Sequence, residues 1–173
     1  IESVVAIFAH PDDETIMAGG IITLLTERGI PVYIVSATRG EGGEWGDPPV
    51  VEHQADLGPV RERELRCAID ALGATVSVLD YVDPVIGPDD VLSAFDADFD
   101  TLVNQIATIA RQKNADVILT HGADGEYGHP AHILMHRAVM AAVTRYELKA
   151  LLYTIAANVP TIEDRLWNSN QPA

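Results

Sequence analysis

The chain has 173 residues, 47% of them hydrophobic, and carries 26 Asp and Glu against 11 Lys and Arg, for a formal net charge of -15. That length supports one substantial core and is short for two typical domains, so a single domain over 1–173 is expected. The acidity excludes a nucleic-acid binder, which holds phosphates with Lys and Arg clusters, and weighs against an anionic membrane surface. No apolar run approaches the roughly 18 residues a membrane span needs, and no basic-then-apolar segment opens the sequence, so a soluble, cytoplasmic protein is expected. Cys67 is the one cysteine. It permits no internal disulfide and no thiolate zinc site, so any metal must be held by nitrogen and oxygen. The sequence starts at Ile1, and the polar tail Trp167-Asn168-Ser169-Asn170-Gln171 reads as an end that frays or continues, with C-terminal elements missing.

Short apolar, β-branched runs at 4–8, 32–35, 76–79 and 117–119 alternate with segments of helical spacing, which predicts an α/β fold with a mostly parallel sheet. After the first run, Ile16, Gly20, Ile21, Leu24 and Leu25 recur at helical spacing, and Arg28-Gly29 supplies the stop. Residues 38–58 hold five glycines with Trp45, Pro48, Pro49 and His53 and read as a long substrate-facing loop. A second helix is predicted after Pro59, through Leu65, Ala68, Ile69 and Leu72 to a cap at Gly73. Residues 80–98 form a second, acidic loop. A third helix is predicted from about Phe99 to Lys113. The acids Asp96, Asp98 and Asp100 at its start do not make a calcium loop, because Thr101 and Ala107 stand at the required glycine and closing-acid positions; acidic residues at a helix N-terminus explain them. A fourth helix opens at Pro130, and 151–155 is a plausible fifth strand.

Two clusters carry chemistry. Ala9-His10-Pro11-Asp12-Asp13-Glu14 follows the first strand, and Tyr127-Gly128-His129-Pro130-Ala131-His132 follows the fourth. Ligands of open parallel sheets bind beyond the carboxyl ends of the strands, where the winding reverses. In a 3-2-1-4-5 order, His10, Asp13 and His132 all arrive at that crevice. Two imidazoles and a carboxylate are a sound zinc set, and three protein ligands leave a fourth position open for water, as in catalytic zinc sites. Pro11 and Pro130 are each expected at the first turn of a helix. Asp12 is expected to point away from Asp13, so one acid binds metal while its neighbour takes a proton.

These residues closely resemble the LmbE-like (PIG-L) family of zinc-dependent N-deacetylases, whose hallmarks are an Ala-His-Pro-Asp-Asp-Glu segment and a distal His-Pro-Asp-His segment. The likeness extends through Gly19-Gly20, Thr38-Arg39-Gly40-Glu41-Gly42, Arg61, Glu64-Leu65, Leu72-Gly73 and Asp116-Val117. It implies a Rossmann-like three-layer fold and removal of acetyl groups from N-acetylglucosamine-containing small molecules or glycolipids. It also implies one Zn2+ held by His10, Asp13 and His132, with Fe2+, Co2+ or Mn2+ as substitutes. Asp12 resembles the general base, His129 the imidazole that stabilises the tetrahedral intermediate or protonates the leaving amine, and Tyr127 an oxyanion-facing tyrosine of some members. Arg61 and, more weakly, Asp83 resemble sugar contacts. Members of the family often form homo-oligomers; the sequence itself carries no sign of one. Ala131 is a departure, standing where the family usually has an acid that supports the catalytic histidine.

Each residue has a plainer reading beside this one. Asp12 and Asp13 are good helix caps, Arg61 can pair with Glu64 or Asp12, and Tyr127 can be an ordinary loop tyrosine. Trp45 can stack on a sugar or anchor its own loop. His53, His121 and His136 are taken as bystanders, with His121 close to the crevice. Three functions are consistent with the sequence: an amino-sugar N-deacetylase, a metal-dependent amidase acting on a non-sugar acyl-amine, and a catalytically weak metal- or sugar-binding protein.

Overall fold

Five short strands, β1 (Val4–Phe8), β2 (Val32–Ser36), β3 (Thr75–Val78), β4 (Val117–Thr120) and β5 (Leu151–Thr154), pair in parallel in the order β3-β2-β1-β4-β5. This is the predicted order. The computed structural model describes residues 1–87 and 91–156. The expectations for the C-terminal tail, and part of the second predicted loop at 88–90, lie outside them.

Strand side chains alternate between faces, and β1 shows why the sheet needs covering on both. Val5 and Ile7 pack on α3 (Phe99–Gln112) and α5 (Pro130–Arg145), among Leu102, Val103, Ile106, Met135 and Val139. Val4, Ala6 and Phe8 pack on α1 (Asp13–Glu27) and α2 (Leu57–Ala71), among Ala18, Ile22, Leu65 and Ile69. All five residues of β1 are buried. A three-layer sandwich follows directly. Among the described residues, no helix is long and apolar enough to cross a membrane.

Helix ends follow local chemistry. Gly29 and Gly73 adopt φ of 72° and 70°, and the amides beyond them, Ile30 and Ala74, bond back to Leu25 O and Ile69 O at 3.0 and 3.1 Å. Asp98 caps α3, its Oδ1 accepting from Thr101 N at 2.8 Å, which accounts for the acids there.

Four details depart from the sequence reading. In α1 the inward stripe is Ala18, Ile22 and Leu25, while Ile16, Ile21 and Leu24 are exposed. Two apolar stripes compete on this helix, and the one bearing small Ala18 and Gly19 permits close approach to the sheet. Pro11 is not a helix-start proline: Asp12 takes φ 97°, outside the helical region, so α1 begins only at Asp13. Pro130 does occupy the first turn of α5. The helix after the long glycine-rich segment starts two residues before Pro59, at Leu57, because first-turn amides have no intrahelical partner to lose. That segment also has local structure, with Gly43 N bonded to Gly40 O, Val50 N to Trp45 O, and a 3-10 turn at Gln54–Asp56.

The orientation of α1 is testable by urea unfolding. Ile22→Ala is expected to cost about 2–5 kcal/mol, and Ile16→Ala to stay within about 0.5 kcal/mol. Equal losses would contradict this packing.

Candidate active site

The winding runs one way from β1 through β2 to β3 and the other way through β4 to β5, so the crevice opens beyond the ends of β1 and β4. His10 leaves β1 at that edge. Its backbone N–H donates to Asp13 Oδ2 at 2.8 Å, which folds the turn and sets both side chains in one place. His132 arrives on the first turn of α5, 122 positions later in sequence.

The ligand atoms of His10, Asp13 and His132 then converge, with Asp13 turning one oxygen to each ring. His10 Nδ1 lies 3.3 Å from His132 Nε2, Asp13 Oδ1 lies 3.3 Å from His132 Nε2, and Asp13 Oδ2 lies 3.4 Å from His10 Nδ1. Donors about 2.0–2.1 Å from one ion at tetrahedral angles stand about 3.3–3.4 Å apart. The set is spaced to hold one ion, and the groupings His10, His129, His132 and Asp13, His121, His132 also bring ligand atoms within 4.8 Å of one another. His10, Asp13 and His132 are all buried. Burial by itself would raise the carboxyl of Asp13, but the imidazoles of His10, His121 and His132 overrule it and hold it well below its ordinary range. Burial would lower His10, but Asp13 and Asp83 outweigh it and raise the imidazole to about 9. The field at these atoms favours positive charge.

Two further histidines approach. His121, at the end of β4, is fully buried, and its Nε2 is 3.4 Å from Asp13 Oδ2. That nitrogen already accepts from Ala9 N at 3.0 Å, so its lone pair is spent on the backbone. His129 sits at the crevice wall, its ring 4.4 Å from that of His132 and 4.8 Å from that of His10.

Glu126 is the residue that the sequence reading missed, and it moves His121 out of the bystander class. Its Oε2 faces His132 Nδ1 at 2.7 Å and His121 Nδ1 at 3.1 Å, and its Oε1 accepts from Gly122 N at 2.7 Å. One carboxylate thus takes the Nδ1 hydrogens of both rings and leaves His132 Nε2 as a bare lone pair aimed at the ligand set. Burial would raise Glu126, yet the bonds from His121, His132 and Gly122 hold it at about 2. It belongs to the one-turn element α4 (Gly125–Gly128), where it adopts φ 62°. A lone acid between flanking glycines just ahead of a His-Pro pair was the available signal, but the backbone turn that aims it is invisible in sequence. His136 supports the strand end, its Nδ1 bonded to His121 O at 2.8 Å, while His53 only precedes the 3-10 turn.

Asp12 precedes α1 yet makes no side-chain cap bond. Its carboxylate turns into the crevice, where Arg61 Nη2 donates to Oδ2 at 3.0 Å. Its side chain is 54% exposed, and desolvation of the part against the crevice wall together with the charge of Asp13 raises its carboxyl, with Arg61 only partly offsetting them. Arg61 also donates to Pro11 O at 2.8 Å and Gly40 O at 2.9 Å, stapling the loops after β1 and β2 together. A Cβ at Gly40 would stand 2.0 Å from Arg61 Nη1, and one at Gly42 would stand 2.0 Å from Pro84 O, so these glycines are required by close approach. The pairing of Arg61 with Asp12 is the plainer of its two sequence readings, and the guanidinium still lines the cavity.

His129 Nδ1 accepts from Ala131 N at 3.2 Å, which places the hydrogen of the neutral ring on Nε2. Burial, then His132 and His10 in their protonated forms, lowers this imidazole to about 4. Ala131 is wholly buried among Val5, Ile7 and Met135, so the position that the family gives to an acid is here part of the apolar core. Tyr127 is partly exposed at the mouth, its ring 5.7 Å from that of His129, and burial followed by the charge of Asp13 and Asp12 pushes its phenol up to about 12.

These groups share a cavity of about 580 Å3, lined among others by Glu44, Arg61, Asp83 and Leu92. Asp83 comes from the second long loop, with Oδ1 3.2 Å from His10 Nε2 and its amide bonded to Glu41 Oε2 at 3.1 Å. Trp45 is not brought to the cavity. Its neighbours from Gly42 to Glu44 form the wall, and Trp45 closes a turn through its carbonyl.

The sequence matches, over residues 5–143, the PIG-L family model described as GlcNAc-PI de-N-acetylase. It is 37% identical over 155 residues to 1D-myo-inositol 2-acetamido-2-deoxy-alpha-D-glucopyranoside deacetylase 3 of Catenulispora acidiphila, covering 80% of this chain and 44% of the relative. The similarly named deacetylase of Corynebacterium diphtheriae is 33% identical over 162 residues, covering 87% and 55%. The chain thus spans about half the length of the curated relatives it matches. Among solved structures, the N,N'-diacetylchitobiose deacetylase of Pyrococcus horikoshii superposes with TM-score 0.67 at 22% identity, over 83% of this chain and 49% of the other. GalB, the 4-carboxy-2-hydroxymuconate hydratase of Pseudomonas putida, superposes with TM-score 0.66 at 27% identity, over 83% and 56%. A match over 5–143, together with relatives above 30% identity, places the chain in the PIG-L (LmbE-like) family.

Proposed function

We propose that this chain is the catalytic domain of a metal-dependent N-deacetylase that cleaves the acetamide of an N-acetylglucosamine-type amino sugar. One observation carries the reading. His10, Asp13 and His132 bring two ring nitrogens and the two oxygens of one carboxylate to neighbouring separations of 3.3–3.4 Å, and beside them stands a second carboxylate, Asp12, that no helix amide has claimed. The substrate class draws support from relatives named for an N-acetylated glucosaminyl inositol.

His10, Asp13 and His132 are the proposed ligands of one ion, Zn2+ by the donor set, with Fe2+, Co2+ and Mn2+ as substitutes. Such an ion supplies a Lewis acid that acidifies a water and polarises an acetamide carbonyl. Asp12 accepts a proton from the attacking water, a task suited to its raised carboxyl. As the tetrahedral carbon forms, His129 offers Nε2–H to the developing oxyanion, and the phenol of Tyr127, still protonated at neutral pH, stands at the mouth as a second donor. The proton passes from Asp12 to the amine as the C–N bond breaks, releasing acetate and the free amino sugar. Arg61 and Asp83 contact the sugar in this reading. Trp45 would do so only by a movement of its loop. A cytoplasmic setting and a homo-oligomer remain part of the proposal, the former on the strength of the single, exposed Cys67.

The hydratase fold neighbour raises the matter of substrate charge. Its substrate is named as a carboxylated muconate, whereas this cavity presents Asp12, Asp13, Glu44 and Asp83 against one guanidinium whose donors are largely spent. A neutral sugar hydroxyl fits such a wall better than a polyanion does.

Amine release from a panel of N-acetylated amino sugars and non-sugar acyl-amines tests the reading. Asp12→Asn is expected to keep zinc and lose about 10²–10⁴-fold in kcat; unchanged turnover would remove Asp12 from its role. Release from the non-sugar compounds alone would favour an amidase, and zinc binding without any release a binding protein. Chelation should abolish turnover and added Zn2+ should restore it. Glu126→Gln should weaken zinc binding by about 10–100-fold in competition with a chelating dye, because an amide that keeps its oxygen on both imidazoles turns its NH2 against the Gly122 N–H. Wild-type affinity in that variant would mean that Glu126 does not set the His132 ring.

A further inference from the structure

Among the described residues, the proposed chemistry leaves one buried acid unused. Glu14 is 1% exposed, lies beside the ligand set without joining it, and faces a smaller cavity of about 240 Å3 between α1 and α2. Its two oxygens are both occupied locally. Oε2 accepts from the backbone N–H of Asp12 at 3.2 Å, and Oε1 accepts from Thr15 Oγ1 at 2.6 Å.

Asp12 needs that bond more than an ordinary residue would. An aspartate ahead of a helix usually keeps an extended backbone and spends its carboxylate on a first-turn amide. Asp12 instead holds φ 97° and ψ -32°, a strained conformation for a residue with a Cβ, and its side chain caps nothing. Only its carbonyl follows the helix, accepting from Thr15 N and Ile16 N at 2.9 Å. Turning the residue this way frees the carboxylate for the crevice and swings the amide toward Glu14. The arrangement resembles half of a capping box, with the acid at the second helical position instead of the third: it reaches back to the N-cap amide, while the reciprocal side-chain bond is given up. Arg61 then fixes the far end of the carboxylate and the Pro11 carbonyl. Backbone strain persists only where surrounding contacts over-determine it, and Glu14 supplies the contact on the amide side.

We infer that Glu14 is a positioning residue: by accepting the Asp12 amide hydrogen, it holds Asp12 in the left-handed turn that points its carboxylate into the cavity. The inference rests on Asp12 acting as the base. Glu14 touches neither water nor sugar in this account, and its role is carried entirely through the Asp12 backbone.

Two substitutions of similar size separate the hydrogen bond from packing. Glu14→Gln keeps an acceptor for Asp12 N, whereas Glu14→Met fills the space without one. In crystals, Asp12 is expected to keep a positive φ in the Gln variant and leave it in the Met variant. On the amino sugar that the wild type deacetylates best, Glu14→Met should lose about 10²-fold in kcat, with KM and zinc affinity within about twofold, and Glu14→Gln should recover most of kcat. A positive φ retained in Glu14→Met, or wild-type kcat in it, overturns the inference. Should Glu14→Met fail to fold, Glu14→Ala, which also removes the acceptor for Asp12 N, is read by the same φ and kcat criteria. Activity retained by Asp12→Asn would defeat the base assignment instead, and the Asp12 φ in the Glu14 variants would still decide whether Glu14 holds the turn.

Discussion

Everything at the site depends on the parallel pairing of β1 with β4, in register from Val4 with Val117 to Ile7 with Thr120. This pairing is the point at which the winding reverses, and it sets the two chain segments that leave these strands side by side. A slip of one residue would turn every β1 side chain to the opposite layer, exchanging Val5 and Ile7 for Val4, Ala6 and Phe8. Because both faces of β1 are buried, such a slip is costly. The register that the core enforces is the register that brings His10 to His132.

The crevice concentrates negative charge in a chain already acidic. Asp12, Asp13, Asp83 and Glu126 lie around four imidazoles and one guanidinium, and the charges are ordered rather than merely dense. Asp13 is drawn far down by histidines, Glu126 is held at about 2 by two imidazoles and an amide, and Asp12 is raised by partial desolvation and by its neighbour. Neighbouring carboxylates pushed in opposite directions suit different tasks: a permanently ionised one to hold a cation, and a readily protonated one to move a proton. The same environment lowers His129 to about 4, which leaves a neutral ring with Nε2–H to donate.

Much of this was legible in sequence, for an identifiable reason. The parallel α/β sheet followed from apolar runs alternating with helical spacing, and the meeting of His10, Asp13 and His132 followed once a 3-2-1-4-5 order was assumed for it, because both depend on chain order and residue type alone. What stayed hidden depends on backbone angles or on competition between near-equal options. Glu126 and Asp12 act through positive φ at residues that carry a Cβ. Helix α1 offers two apolar stripes, and only close packing on the sheet chooses the one with Ala18 and Gly19 over that with Ile16 and Leu24. Trp45 lies just past the last lining residue of its loop, a distinction that composition does not carry.

The same fold serves a named hydratase and named deacetylases, so the scaffold alone does not set the reaction; the ligand set of His10, Asp13 and His132 and the turned carboxylate beside it are the specific content of this chain. The most direct test is anomalous diffraction at the zinc edge from crystals grown with Zn2+. The account predicts one strong peak about 2.0–2.2 Å from His10 Nδ1, His132 Nε2 and an Asp13 oxygen, with His121 Nε2 still on the Ala9 amide. A peak bound through His121 or His129 in place of one of these, or no peak in the crevice, would contradict it.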